Sequence, residues 1–73
     1  MATTVDARGL ACPLPLALAQ RAMDRLPAGA TLVVLATDPE APIDIAAWAA
    51  RAGHALNERD GDGYREFSLV KSG

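Results

Sequence analysis

Apolar and polar positions fall into short blocks separated by Gly and Pro, with no linker, internal repeat or low-complexity stretch. Residues 3–7, carrying Thr and Val, suit a short strand that Gly9 ends. Beyond it Pro15, Leu18, Ala19, Ala22, Met23 and Leu26 recur at three- and four-residue spacings, which predicts a helix running to about Leu26. Gln20, Arg21, Asp24 and Arg25 take its opposite side. Pro13 and Pro15 mark its start, because a proline in a first turn forfeits no internal hydrogen bond and already has helical φ. Pro27, Ala28 and Gly29 stop it. Residues 31–37, Thr-Leu-Val-Val-Leu-Ala-Thr, form a nearly continuous apolar run of β-formers, the mark of a central strand. Asp38 and Pro39 close that run, and Pro42 opens a second helix with Ile45, Trp48, Ala49 and Ala52 on one face and Gly53 as its C′ residue. Residues 54–59 make a weaker strand and residues 64–71 a stronger one, in which Arg65, Phe67 and Leu69 alternate with Glu66 and Ser68. The intervening Asp60-Gly61-Asp62-Gly63 is a hairpin turn signal.

The order is therefore β-α-β-α-β-β. Right-handed crossovers put both helices on one face of a mixed four-stranded sheet, giving an α/β (α+β) two-layer sandwich with its other sheet face largely open to solvent. Seventy-three residues allow one small domain, spanning 1–73. Hydrophobic residues make up 51% of the chain, yet 16 of those 37 are alanine, so the core is thin and the helices lie close to the sheet. A net charge of −2 supplies no global field for nucleic acid, and three aromatic residues are too few for a base-stacking platform. Direct nucleic-acid binding is not expected. Arg21, Asp24, Asp38 and Asp44 interrupt every apolar stretch, so no membrane span is expected either.

One cysteine, Cys12, excludes a disulfide framework within the chain. Together with an N-terminal stretch, residues 1–6, that is neither basic nor continuously apolar, it points to a reducing cytoplasmic setting. The run Gly9-Leu10-Ala11-Cys12-Pro13-Leu14-Pro15 places this thiol at a strand-to-helix junction. Backbone N–H groups and the positive end of the helix dipole should favour thiolate there, lowering the thiol pKa from its ordinary value of about 8.5, and Arg8 is a candidate nearby cation. Pro13 and Pro15 stiffen the chain, so the thiol is presented outward at low entropic cost. Leu14 falls off the apolar stripe on a helical wheel, beside the thiol, where an apolar side chain suits a docking contact.

Residues 6–15, ending in Cys12-Pro13-Leu14-Pro15, resemble the Cys-Pro-x-Pro signature of the TusA-like, or SirA-like, sulfur-carrier family. Gly29 before the apolar strand, Asp38-Pro39 after it, Asp44-Ile45 in the second helix and Gly53-His54 before the third strand extend the likeness over nearly the whole chain. The resemblance implies that Cys12 accepts sulfane sulfur as a persulfide from a donor such as a cysteine desulfurase. It further implies delivery to an acceptor protein thiol, in a relay for tRNA thiolation, sulfur oxidation or cofactor sulfuration. Gly9, Pro13 and Pro15 would present the thiol, and Arg8, Leu14 and Arg21 would meet the partner. Leu14 occupies the variable motif position, where members closest to TusA commonly carry glutamate. Only Arg21 and Arg25 are available for the basic patch expected on the first helix.

With no second thiol in the chain, release of sulfur must be intermolecular. The chemistry requires no metal or organic cofactor, and nothing in it demands more than a monomer acting within a relay. The alternative from a different class is a non-catalytic regulatory or protein-interaction domain of the same fold, whose function would survive replacement of Cys12. His54, the sole histidine, is expected as a solvated turn residue rather than a ligand. Asp60 and Asp62 are expected as turn formers, and Trp48 as core.

Overall fold

Each block of the hydrophobic pattern becomes one element. The computed structural model describes residues 2–72, so both ends of the expected 1–73 domain lie outside the described residues. The elements are β1 (Ala2–Ala7), α1 (Leu14–Asp24), β2 (Thr31–Ala36), α2 (Ala41–Ala52), β3 (Ala55–Asp60) and β4 (Arg65–Val70). The strands form one sheet in the order β1-β2-β4-β3, with β1 parallel to β2 and β4 antiparallel to both β2 and β3. The two helices pack on it to give the expected two-layer α+β sandwich.

Sheet and helices contribute different sizes of side chain to the core. Phe67 and Leu69 of β4 lie opposite Val34 and Leu32 of β2, and all four are fully buried. The helices bring mostly small residues against them, Ala19 from α1 and Ala41 and Ala49 from α2, with Met23 and Ile45 filling the remaining volume. Half-buried Trp48 and Leu56 pack at the margin. The apolar run of β2 proves one-sided: Leu32, Val34 and Ala36 are buried, whereas Thr31, Val33 and Leu35 on the alternate face are only half-buried. Edge strand β3 is polar and exposed apart from Leu56. It is laced to β4 by charge pairs such as Arg65 to Asp60 at 3.1 Å, a pattern that discourages edge-to-edge association. Those pairs also explain why Arg65, in phase with Phe67 and Leu69, stays exposed.

Two expectations are corrected. Helix α1 ends at Asp24 rather than near Leu26, because the chain tightens to i→i−3 bonds, from Arg25 N–H to Ala22 and from Leu26 N–H to Met23. The Lys71 ammonium then donates to the carbonyls of Met23 and Leu26 at 3.0 and 2.6 Å, satisfying acceptors that a longer helix would have used. His54 is not a solvated turn residue. Gly53, at φ +79°, reverses the chain at the end of α2, so the His54 ring meets Trp48 edge-on at 5.2 Å. Its Nδ1 accepts the Ser72 N–H at 3.0 Å.

Candidate functional site

The parallel register of β1 and β2 builds the site. Ala7, the last residue of β1, stands opposite Ala36, the last of β2, so the β1–α1 and β2–α2 loops leave the sheet side by side. Cys12 is in the first loop and is exposed. Gly9, at φ +80°, turns the chain out of β1 in a conformation a side chain would disfavour, and its N–H donates to Thr37 Oγ1 at 2.9 Å. The Cys12 N–H donates to Asp38 Oδ2 at 2.8 Å. The other oxygen of Asp38 accepts the Glu40 N–H at 3.4 Å, and its backbone carbonyl accepts the Ala41 N–H at 3.1 Å. Asp38 thus starts α2 and pins the cysteine loop at the same time.

Pro13 caps α1 from outside, following a cis Cys12–Pro13 peptide bond, and Pro15 sits in the first turn. Pro15 is also fully buried; it anchors the loop to the core as well as stiffening it. Leu14, between them, is 50% exposed. On the neighbouring helix start Ile43 is 70% exposed, so both helices present an unburied aliphatic residue in the first turn nearest the thiol.

The thiol itself is not poised as thiolate. Cys12 Sγ–H donates to Asp44 Oδ2 at 2.9 Å. That hydrogen bond, partial desolvation, the negative charge of Asp44 and the neighbouring Glu40 push the thiol pKa up to about 12. The expected depression of the thiol pKa is therefore overturned, for two structural reasons. Sγ faces the first turn of α2, where two carboxylates outweigh the dipole of α1, and Arg8 is engaged elsewhere. The Arg8 guanidinium binds Asp6 through two bonds of 2.8 Å and lies 5.2 Å from the Tyr64 ring centre. Held this way, Arg8 keeps the Asp6 carboxyl at about 2, below the usual carboxylate range.

Arg21 does not join the group. It lies seven residues beyond Leu14 on α1, about 10 Å along the helix axis, beside Leu18 and Arg25 on a separate shallow cavity. His54 follows the far end of α2, about 18 Å of helix from its start. A different open cavity, of about 320 Å³, adjoins the cysteine loop and is lined by Thr37, Asp38, Pro42 and Tyr64 among others. The Cys12 sulfur and one carboxylate oxygen each from Glu40 and Asp44 lie within 4.8 Å of one another. The approach of Cys12 to Asp44 is the hydrogen bond already described, and Glu40 adds a second carboxylate beside it.

Asp38, Glu40 and Asp44 were not among the expected site residues. Their signal was present in the sequence: three carboxylates within seven positions, directly after a strand parallel to the one that leads to Cys12.

The chain is similar to several known proteins across nearly its whole length. The family model for Sulfurtransferase TusA matches residues 3–71. The sulfur carrier protein TusA of Allochromatium vinosum is 37% identical over 67 residues, covering 92% of this chain and 88% of the relative. The provisionally named sulfur carrier protein YrkI of Bacillus subtilis is 44% identical over 59 residues, covering 81% of this chain and 79% of the relative. The crystal structure of a SirA-like protein from Desulfitobacterium hafniense superposes with a TM-score of 0.88 at 28% identity, covering all of both chains.

Proposed function

The chain belongs to the TusA family, and from that premise we propose that it is a sulfur carrier whose Cys12 holds sulfane sulfur as a persulfide. The observation that carries this reading is the placement of the sole thiol: exposed, at the rim where two loops converge, on a backbone held by Asp38 and Pro15. A donor such as a cysteine desulfurase supplies the sulfur, and the thiol of an acceptor protein takes it onward, in a relay serving tRNA thiolation, sulfur oxidation or cofactor sulfuration. Attack by Cys12 on the outer sulfur of the donor persulfide transfers that atom, whereas attack on the inner sulfur would leave a mixed disulfide. The donor must therefore dock in one orientation, and Leu14 and Ile43, exposed in the first turns of the two helices that follow the converging loops, supply apolar contacts for it.

The chain acts as a single domain and as a monomer, in the cytoplasm, without direct contact with nucleic acid. Among the described residues no helix is long and apolar enough to cross a membrane. Incubation with a cysteine desulfurase and free cysteine, followed by intact-mass analysis, is expected to show an adduct of about +32 Da, one sulfur atom. Cys12→Ser should show none. Absence of the adduct with several desulfurases and small persulfide donors, or full biological complementation by Cys12→Ser, would favour the non-catalytic interaction domain instead.

A further inference from the structure

Resting on the sulfur-carrier reading, we propose that Asp44 is the proton acceptor for Cys12 during sulfur transfer. Both ends of the 2.9 Å bond between Sγ and Oδ2 are anchored through the backbone. Cys12 is held by Asp38, and Asp44 by the helical bond from its N–H to the Glu40 carbonyl at 3.1 Å. The other charged groups on the two loops are Asp38 and Glu40 on the β2–α2 loop and Arg8 on the β1–α1 loop. Asp38 is occupied by two backbone N–H groups, and Arg8 is bound to Asp6. Glu40 lies beside the thiol without being its 2.9 Å partner. The sole histidine follows the far end of α2.

A thiolate is the effective nucleophile in sulfur exchange, and the carboxylates facing Cys12 oppose its formation in the resting protein. The proton must then leave as the new bond forms. In the transfer step Cys12 Sγ attacks the outer sulfur of a donor R–S–SH, the Sγ–sulfur bond forms, and the donor's own sulfur–sulfur bond breaks. The Cys12 proton passes to Asp44, which returns it to the departing R–S⁻. The balance is Cys12–SH plus R–S–SH giving Cys12–S–SH plus R–SH, with no external oxidant or reductant. Asp44 touches the reacting sulfur and is in this sense catalytic, a role of the kind that contributes about 10²- to 10⁴-fold in other enzymes.

The test is the rate of persulfide formation from glutathione persulfide, followed by intact mass at several pH values, for the native chain, Asp44→Asn and Asp44→Glu. Taking the native-to-variant ratio cancels the ionisation of the donor. If Asp44 takes the proton, the ratio of native to Asp44→Asn falls about tenfold per pH unit between about pH 6.5 and 8.5, as free thiolate accumulates in the variant alone. Asp44→Glu, which keeps a carboxylate, should hold a constant ratio to the native chain. A native-to-Asp44→Asn ratio that stays constant over this range would overturn the proposal, since both proteins would then react through pre-formed thiolate. A far-ultraviolet circular dichroism spectrum and a cooperative urea transition matching those of the native chain show that the Asp44→Asn variant is folded, since an unfolded chain would also react faster as its thiol ionises. Failure of the native chain to acquire sulfur at any pH would remove the carrier reading itself, an outcome distinct from a constant ratio.

Discussion

Replacing Asp44 by asparagine removes the negative charge facing the Cys12 thiol while keeping nearly the same shape. The hydrogen bond to Asp44 is the largest of the causes that hold this thiol at about 12, and the charge of the same carboxylate adds to it. At pH 8.5 about half of ordinary thiols are ionised, but at a pKa of about 12 only about one in three thousand is. Desolvation and Glu40 remain in the variant, so its thiol is expected to titrate above the ordinary value and well below that of the native chain. Absorbance of the thiolate near 240 nm follows this directly, with Cys12→Ser as the blank that subtracts the single tyrosine. Stability should follow with a defined sign. Above about pH 8.5 the unfolded chain gives up a proton that the folded chain keeps, so this group's contribution to stability falls as pH rises toward about 12. A native thiol that ionises near pH 8.5, or an Asp44→Asn thiol that titrates with the native one, would refute the assignment of the carboxylate as the cause.

Two further outcomes test the scaffold and the docking face. Lys71→Met should destabilise the fold by about 1.5–3 kcal/mol, the range for a charged hydrogen bond to a partly buried acceptor, because Met23 and Leu26 lose the ammonium that binds their carbonyls; urea denaturation measures this, and a change below about 0.5 kcal/mol would mean that water replaces the contact. Leu14→Ala and Ile43→Ala should each shift stability by less than about 0.5 kcal/mol, since both side chains are largely exposed, yet slow sulfur acceptance from a protein donor far more than from a small persulfide. Equal effects on the two donors would show that these residues act on the thiol rather than on docking.

Features set by neighbours along the chain were legible from the sequence. The prolines at the start of α1, the apolar run of β2, the alternation in β4, and Gly53 at the end of α2 each declare themselves within a few residues, and the element order followed from them. Cys12 was legible for the same reason, being the one thiol at a proline-marked helix start. Its electrostatic setting was not, because that depends on register. Only when Ala7 pairs beside Ala36 does the loop after β1 meet the start of α2, bringing together residues 32 positions apart, Cys12 and Asp44. The dipole of α1 is the local influence on the thiol, and the carboxylates across the loops are the larger one. Arg8 shows the same limit: its partner Asp6 is two residues away, but the strand geometry that turns both side chains to one side, against Tyr64 from the β3–β4 turn, is a property of the folded sheet. The setting of His54 depends on the left-handed turn at Gly53, which folds it back onto α2, where its ring accepts the Ser72 N–H beyond β4.

The proton held by Cys12 gives the lone thiol a consistent physical logic. An exposed thiolate is the form that oxidants reach most readily, and a sulfenic acid is rescued fastest when a second thiol stands nearby to condense with it. This chain has no second thiol, and its place at the rim fixes the exposure of the first. Charge is the remaining variable, and Asp44 and Glu40 set it toward the protonated, less oxidisable state. The same arrangement would make a poor nucleophile if the proton had nowhere to go. Because the group that retains the proton is also the group hydrogen-bonded to Sγ, the role proposed for Asp44 lets one carboxylate keep the resting carrier quiet and receive the proton when a correctly oriented persulfide arrives.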